Sequence, residues 1–240
     1  MLTMLASSRP RLLIMCACAS LAGPALADDD RQSETVPELN AYFRLSDRFR
    51  LFAAASLTQS LTEGVGDGEL GAYLDVLSIK PIFPEQLLDV DWARNRYVWA
   101  RLGYAFGGIH EGLQLRDGYS EKQFVAELSG RYPISLGFWV LTRARIDLRT
   151  LSGDRANRYR IRLGLEKAYT VFGRELIPYI RAEVLYDTRF DAWNRQVYQA
   201  GVEIELSQSF RLEPWYAFQV DTATQPTHLD RVGLVLKYYR

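Results

Sequence analysis

The stretch "RYRIRLGLE" (158–166) places Arg158, Arg160, Arg162 and Glu166 on one side of a two-residue period and Tyr159, Ile161, Leu163 and Leu165 on the other. A period of two is the signature of an extended strand with unlike faces and excludes an amphipathic helix, whose period is 3.6. The same alternation recurs in "ELNAYFRL", "FRLFAAASLT", "GELGAYLDVLS", "RYVWARLGYAF", "QFVAELSGRY", "FWVLTRARIDLRT", "PYIRAEVLYD", "QVYQAGVEIEL", "RLEPWYAFQV" and "RVGLVLKYY". That makes eleven segments of about ten residues, separated by turn formers such as "TEGVGDG", "LSGDRAN" and "DTATQPTH". Strands of this length suit a tilted bilayer crossing.

Magnitude assigns the faces. An arginine turned toward lipid at mid-bilayer costs roughly 2–4 kcal/mol. Three on one strand approach the whole stability of a domain, about 5–15 kcal/mol. A one-residue slip would expose every charged face at once. The charges therefore point into a lumen and the apolar rows point out. Aromatic residues near strand ends on the apolar face (Tyr104, Phe106, Tyr186, Tyr198, Tyr216 and Tyr238) fit interfacial girdles. The expected fold is all-β: a single transmembrane antiparallel up-and-down β-barrel in the bacterial outer membrane. Such barrels have an even strand count, so twelve strands are expected, with ten as the alternative. The missing strand is sought in "IKPIFPEQLLDVDW" or "GGIHEGLQLRDGYS".

Residues 1–27 read as a secretory signal peptide: Arg9 and Arg11, the apolar "LLIMCACASLAG", then "ALA" before Asp28. The small-residue site lies beyond Cys16 and Cys18, which favours cleavage over lipidation. Residues 28–36 form a polar N-terminal lead-in, and 37–240 the barrel. The leader carries both cysteines, two of the 29 basic residues and none of the 29 acidic ones, which leaves the mature chain at a net −2 without a thiol. Neither nucleic acid nor a Cys-ligated metal is expected. Asp67, Glu69 and Asp75 are too spread out to read as a calcium site, and no cofactor is expected. The partners expected are outer-membrane lipid and the assembly machinery that reads a terminal row such as Val232, Leu234, Leu236 and Tyr238, although the usual terminal aromatic is replaced by Arg240. The barrel is expected to be a monomer.

The lumenal faces, in chain order, offer Arg101; Arg143, Arg145, Asp147 and Arg149; Arg158, Arg160, Arg162 and Glu166; Arg181, Glu183 and Asp187; Glu203 and Glu205; Arg211 and Glu213; Arg231 and Lys237. Such a network can be packing that fills a small barrel. The second reading is a narrow pore for ions or small solutes, with arginines on one wall and carboxylates on the other. Inward Tyr97, Trp99, Tyr179 and Trp215 are filler or a grip for an amphiphile. "YDTRFDAWNRQ" (186–196) reads as a rim loop in which Asp187, Arg189, Asp191, Asn194 and Arg195 alternate charge around Trp193. It is either a self-paired interfacial turn or a recognition site for lipid head groups or a partner.

A lipid-modifying enzyme, of phospholipase or acyl-transfer type acting through rim residues, is the alternative. It would need a base beside a nucleophile. His110 beside Glu111, with Ser120 ten residues on, and His228 near Asp230 show no such local signature.

"PELNAYFRLSDRFRLF", "DGELGAYLDV", "RNRYVWARLGY", "RYRIRLGLE" and "YDTRFDAWNRQVYQAGVEIEL" together resemble an uncharacterised bacterial outer-membrane β-barrel family of unknown function, over about residues 37–240. The resemblance implies a small exported monomeric barrel and brings no activity or catalytic residue. The His–Ser pair of the outer-membrane phospholipases, its nearest functional comparison, has no equivalent in "DTRFDAWNR".

Overall fold

The computed structural model describes residues 31–61, 65–77, 98–111, 114–224 and 227–240. The strands are β1 (Arg31–Arg44), β2 (Phe49–Ser60), β3 (Val65–Leu77), β4 (Val98–Glu111), β5 (Gln114–Pro133) and β6 (Phe138–Leu151). They continue as β7 (Asp154–Lys167), β8 (Tyr169–Val171), β9 (Arg174–Asp187), β10 (Ala192–Glu205), β11 (Phe210–Asp221) and β12 (His228–Tyr239). Each is hydrogen-bonded to its neighbour in the chain, except that β7 pairs with β9, and β12 returns to β1.

Twelve strands are thus described, but eleven close the ring. The three-residue β8 pairs only with the start of β9, as the tip of the β7–β9 hairpin. The eleven alternating segments of the sequence correspond one to one with the ring strands. An odd ring cannot alternate direction all the way round. β1 and β12 consequently run parallel, from Arg31 beside His228 to Tyr42 beside Tyr239, and every other seam is antiparallel. The expectation of an even ring is corrected accordingly. "GGIHEGLQLRDGYS" supplies no extra strand, because its residues lengthen the β4–β5 hairpin, where Gly108 faces Ser120. "IKPIFPEQLLDVDW" lies outside the described residues, as do the signal peptide and Tyr97.

The lead-in boundary is also corrected: residues 31–36 belong to β1. Their polar side chains are taken up by the parallel neighbour, Arg31 pairing with Asp230 and Glu34 with Arg231 at 2.8 Å. Local turn chemistry sets the hairpins. Ser152 and Gly153, and Phe172 and Gly173, all have positive φ, the two-residue geometry whose twist matches antiparallel strands.

The wall is one strand thick, and its outward row is apolar and uncovered: Leu70, Leu102, Leu128, Ile161, Leu163 and Ile180 are all exposed. Inside, Phe52, Tyr73, Ala105 and Val125 make the buried apolar cluster. Aromatic rings lie flat over inward glycines, an arrangement that fills the gap a missing side chain leaves in a sheet. A Cβ at Gly233 would meet Trp215 at 2.1 Å, and one at Gly201 would meet Tyr179 at 2.5 Å. At Gly103 a Cβ would sit 2.4 Å from the backbone oxygen of Ala72, which has no way to swing aside. Gly107 has ordinary spacing, with nothing closer than 3.4 Å. Gly103→Ala should therefore destabilise the barrel by about 1–3 kcal/mol through overpacking, with Gly107→Ala costing much less. The urea midpoints of both variants folded in lipid vesicles would show this, and equal midpoints would contradict the packing described.

Candidate functional site: the arginine-lined lumen

Because β6 and β7 pair without a stagger in charge, Arg143 stands directly opposite Arg162 and Arg145 directly opposite Arg160. Like charges facing each other across a ladder are destabilising, so this part of the wall holds only if carboxylates are interleaved. They are, on both sides. Asp147, wholly buried, takes Arg145 Nε at 2.5 Å and Arg160 Nε at 3.0 Å. Glu183 reaches from β9 across β7 to Arg143 at 2.6 Å and meets Arg162 at 2.9 Å. Glu127 on β5 stands 3.7 Å from Arg143. Near the rim, Arg149 donates to Asp187 at 2.7 Å and lies 3.3 Å from Glu121. Six inward guanidinium groups on β6 and β7 thus share five carboxylates. Arg158 has the poorest share: its one ion pair is the 3.9 Å contact of Nε with Asp187, and that Nε, like those of Arg143, Arg149 and Arg160, is buried without a hydrogen-bond partner.

The rest of the lumen is paired more evenly. Asp75 is wholly buried between Arg50 and Arg101, accepting from Arg50 Nε at 2.8 Å and Arg101 Nε at 2.6 Å. Arg131 meets Glu166 at 2.7 Å. Lys237 bridges Glu203, at 2.5 Å, and Glu213, and Arg211 also holds Glu203 at 2.8 Å. Arg181 lies 3.5 Å from Glu213, which also accepts the Tyr179 hydroxyl. Aromatic faces cover several guanidinium groups: Arg101 stacks 3.8 Å over Phe52, Arg181 3.7 Å over Tyr179 and Arg131 4.1 Å over Trp139. Tyr179 is therefore taken up by Arg181, Gly201 and Glu213, and Trp215 by Gly233, while Trp99 lines the cavity on another part of the ring.

Carboxylates and arginines are consequently layered within the same stretch of wall and are not sorted onto facing walls. The carboxylates form the inner layer because a short Asp or Glu stays close to the strand that carries it, while the longer arginines fold over it. Glu205 does not line the cavity; at the end of β10 its carboxylate accepts the backbone N–H of Glu175 at 3.2 Å. The lumenal space has a volume of about 810 Å³. Four to five strands round the ring from the arginines, β1 and β2 contribute Asn40, Ala54, Ser56 and Thr58 to its lining, together with Glu38, Tyr42, Arg50 and Phe52.

The stretch taken as a rim loop is mostly strand. Only residues 188–191 turn; Asp187 closes β9 and Ala192 opens β10. Asp187 accepts the Arg189 backbone N–H at 3.0 Å and its side chain at 2.8 Å. Tyr186 donates to Asp191 and packs edge-on against the exposed Trp193, 5.7 Å between ring centres. A bulge between Trp193 and Arg195 turns the buried Asn194 and Arg195 to Asp221, Arg195 at 2.6 Å. Strand pairing sets this stretch because its polar residues satisfy one another locally and do not need a long loop.

His228 stacks on Phe218 and its Nδ1 lies 3.0 Å from Thr227 Oγ1, while nearby Asp230 is held by Arg31 and Tyr216. The side chain of His110 lies outside the described residues. Among the described residues no group of three or more His, Cys, Asp or Glu could hold a metal ion. Arg50, Glu127, Arg131 and Asp221 belong to the network although nothing local in the sequence singles them out, and Arg195, expected as a rim-loop charge, joins it through Asp221. Their inward position was available from strand parity, but their partners lie on other strands. Asp75, considered there only for calcium, is an arginine clamp.

No family model and no curated protein matches the chain. Among solved structures, the β domain of the Bordetella autotransporter Brka is similar, with a TM-score of 0.50 and 14% identity over 81% of this chain and 83% of that one. The likeness is one of fold.

Asp75→Asn would strip two arginines of their shared buried carboxylate. Removing one partner from a buried ion cluster costs about 3–5 kcal/mol, whereas Asp154→Asn, in an exposed turn, should cost under about 0.5 kcal/mol. Equilibrium unfolding in vesicles compares the two directly, and a D75N barrel as stable as the wild type would show that the clamp carries no weight.

Proposed function

We propose that the chain is an integral outer-membrane β-barrel, monomeric and set in lipid by the assembly machinery, whose lumen is a narrow water-filled path for ions or small solutes with a preference for anions. One observation carries the preference. Along the β6–β7 wall the arginine side chains Arg143, Arg145, Arg158, Arg160 and Arg162 keep 13–24% of their surface exposed, while Glu127, Asp147 and Glu183 beneath them keep 0–7%. A solute in the lumen meets the cationic layer first, because the carboxylates that neutralise it lie behind it. The strands across the cavity add the small side chains Ala54, Ser56 and Thr58 to its lining. Membrane placement is supported by the uncovered apolar exterior around a charged interior and by the fold shared with an autotransporter β domain. The resemblance to a barrel family of unknown function points the same way. No described residue favours the lipid-modifying alternative.

The test is conductance of refolded protein in a planar bilayer under a potassium chloride gradient. Discrete steps are expected, with a reversal potential on the anion-selective side. Arg160→Glu should lower anion-over-cation preference on the order of tenfold, because it changes the local field by two unit charges. A silent bilayer from protein shown to be folded would sink the channel reading and leave the network as a plug.

A further inference from the structure

Just inside the mouth that carries the 188–191 turn, four guanidinium groups line the cavity: Arg149, Arg158, Arg189 and Arg195. Three carboxylates serve them. Asp187 holds Arg149 at 2.7 Å and Arg189 at 2.8 Å, and Asp221 holds Arg195 at 2.6 Å. The third, Glu121, is 3.3 Å from Arg149. Asp187 and Asp221 are each 1% exposed as side chains, so neither presents a charge to the cavity. The remaining cation is Arg158, which donates no hydrogen bond among the described residues and has its Nε buried. Arg149 and Arg195 line the same mouth, and the carboxylate paired with Arg158, Asp187 at 3.9 Å, is already shared by Arg149 and Arg189.

A buried guanidinium with idle donors among like charges is costly unless something negative sits against it. The fork of an arginine matches an oxyanion in geometry as well as charge, through two parallel N–H donors. From this we infer a binding station for a small phosphate-class oxyanion at the mouth of the lumen. Arg158 provides the free fork, Arg189 and Arg195 complete the rim of positive charge, and Glu121 limits the charge the site accepts. The free ion and the phosphate of a small phosphomonoester share this chemistry. The inference rests on the reading of the lumen as open to water, but not on its conducting from end to end.

The test is equilibrium dialysis of the refolded full chain in detergent with inorganic phosphate at pH 8 and constant ionic strength in chloride. A parallel arm uses glycerol phosphate. Saturable binding of one phosphate per chain is expected. Arg158→Gln should weaken it about tenfold or more, as loss of a charged hydrogen-bond donor does, while Arg158→Lys retains part of the affinity. Because Arg158 holds no hydrogen bond and is an under-compensated cation, R158Q should unfold at or above the wild-type midpoint, which separates lost binding from lost fold. Binding of inorganic phosphate alone identifies the free ion as ligand, and equal or tighter binding of glycerol phosphate identifies the monoester. No saturable binding in either arm, or R158Q binding as the wild type does, overturns the inference. A conducting barrel that binds no phosphate refutes the station and keeps the channel; a silent barrel that binds it refutes the channel and keeps the station.

Discussion

Buried carboxylates shared between arginines hold this barrel in one register. In a wall a single strand thick, each residue faces either the apolar exterior or the lumen, and adjacent residues face opposite ways. A charge has nowhere to go but inward, and once inside it must be paired. Asp75 serves arginines on the strands either side of its own, Glu183 serves Arg162 on β7 and Arg143 on β6, and Asp147 serves Arg145 on its own strand and Arg160 on the next. Such a carboxylate ties strands together beyond the backbone ladder, because sliding one strand by a residue would break its cross-strand contacts and turn arginines toward lipid.

The same sharing makes the lumen lopsided. Arginines crowd β6 and β7, where two arginine pairs directly oppose each other. Across the cavity, β1 and β2 supply Asn40, Ala54, Ser56 and Thr58. Arginine is thus densest on one stretch of the ring, while Arg50, Arg101, Arg211 and Lys237 carry single charges round the rest of it. Glycines under rings, such as Gly233 beneath Trp215, let the aromatics lie against the wall.

Much of this is legible in the sequence, because alternation is a local signal. Every ring strand is marked by it, and parity alone puts Arg145, Arg160, Glu183 and Lys237 inside. The count of ring strands is not legible in the same way. Whether β12 meets β1 in parallel or antiparallel sense depends on two segments about two hundred residues apart, and neither carries a residue that announces it. Pairings are hidden for the same reason: nothing beside Glu183 reveals that it will reach across β7 to Arg143. Boundaries blur at the rims, where strands leave the region that demands strict alternation. There "YDTRFDAWNRQ" looks like a loop while most of it is ladder.

The parallel seam has a geometric consequence. Strand directions round a ring behave like alternating colours on a closed band, and an odd number forces one place where like meets like. Along that place twelve residue pairs run in step, from Arg31 with His228 to Tyr42 with Tyr239. At roughly 3.3 Å per residue, they span about 40 Å. The beginning of the first strand and the end of the last are thus separated by nearly the full height of the wall and open on opposite mouths. A closed band with an even count would bring those two strand ends to the same mouth; here the start of β1 and the end of β12 face away from each other across the wall.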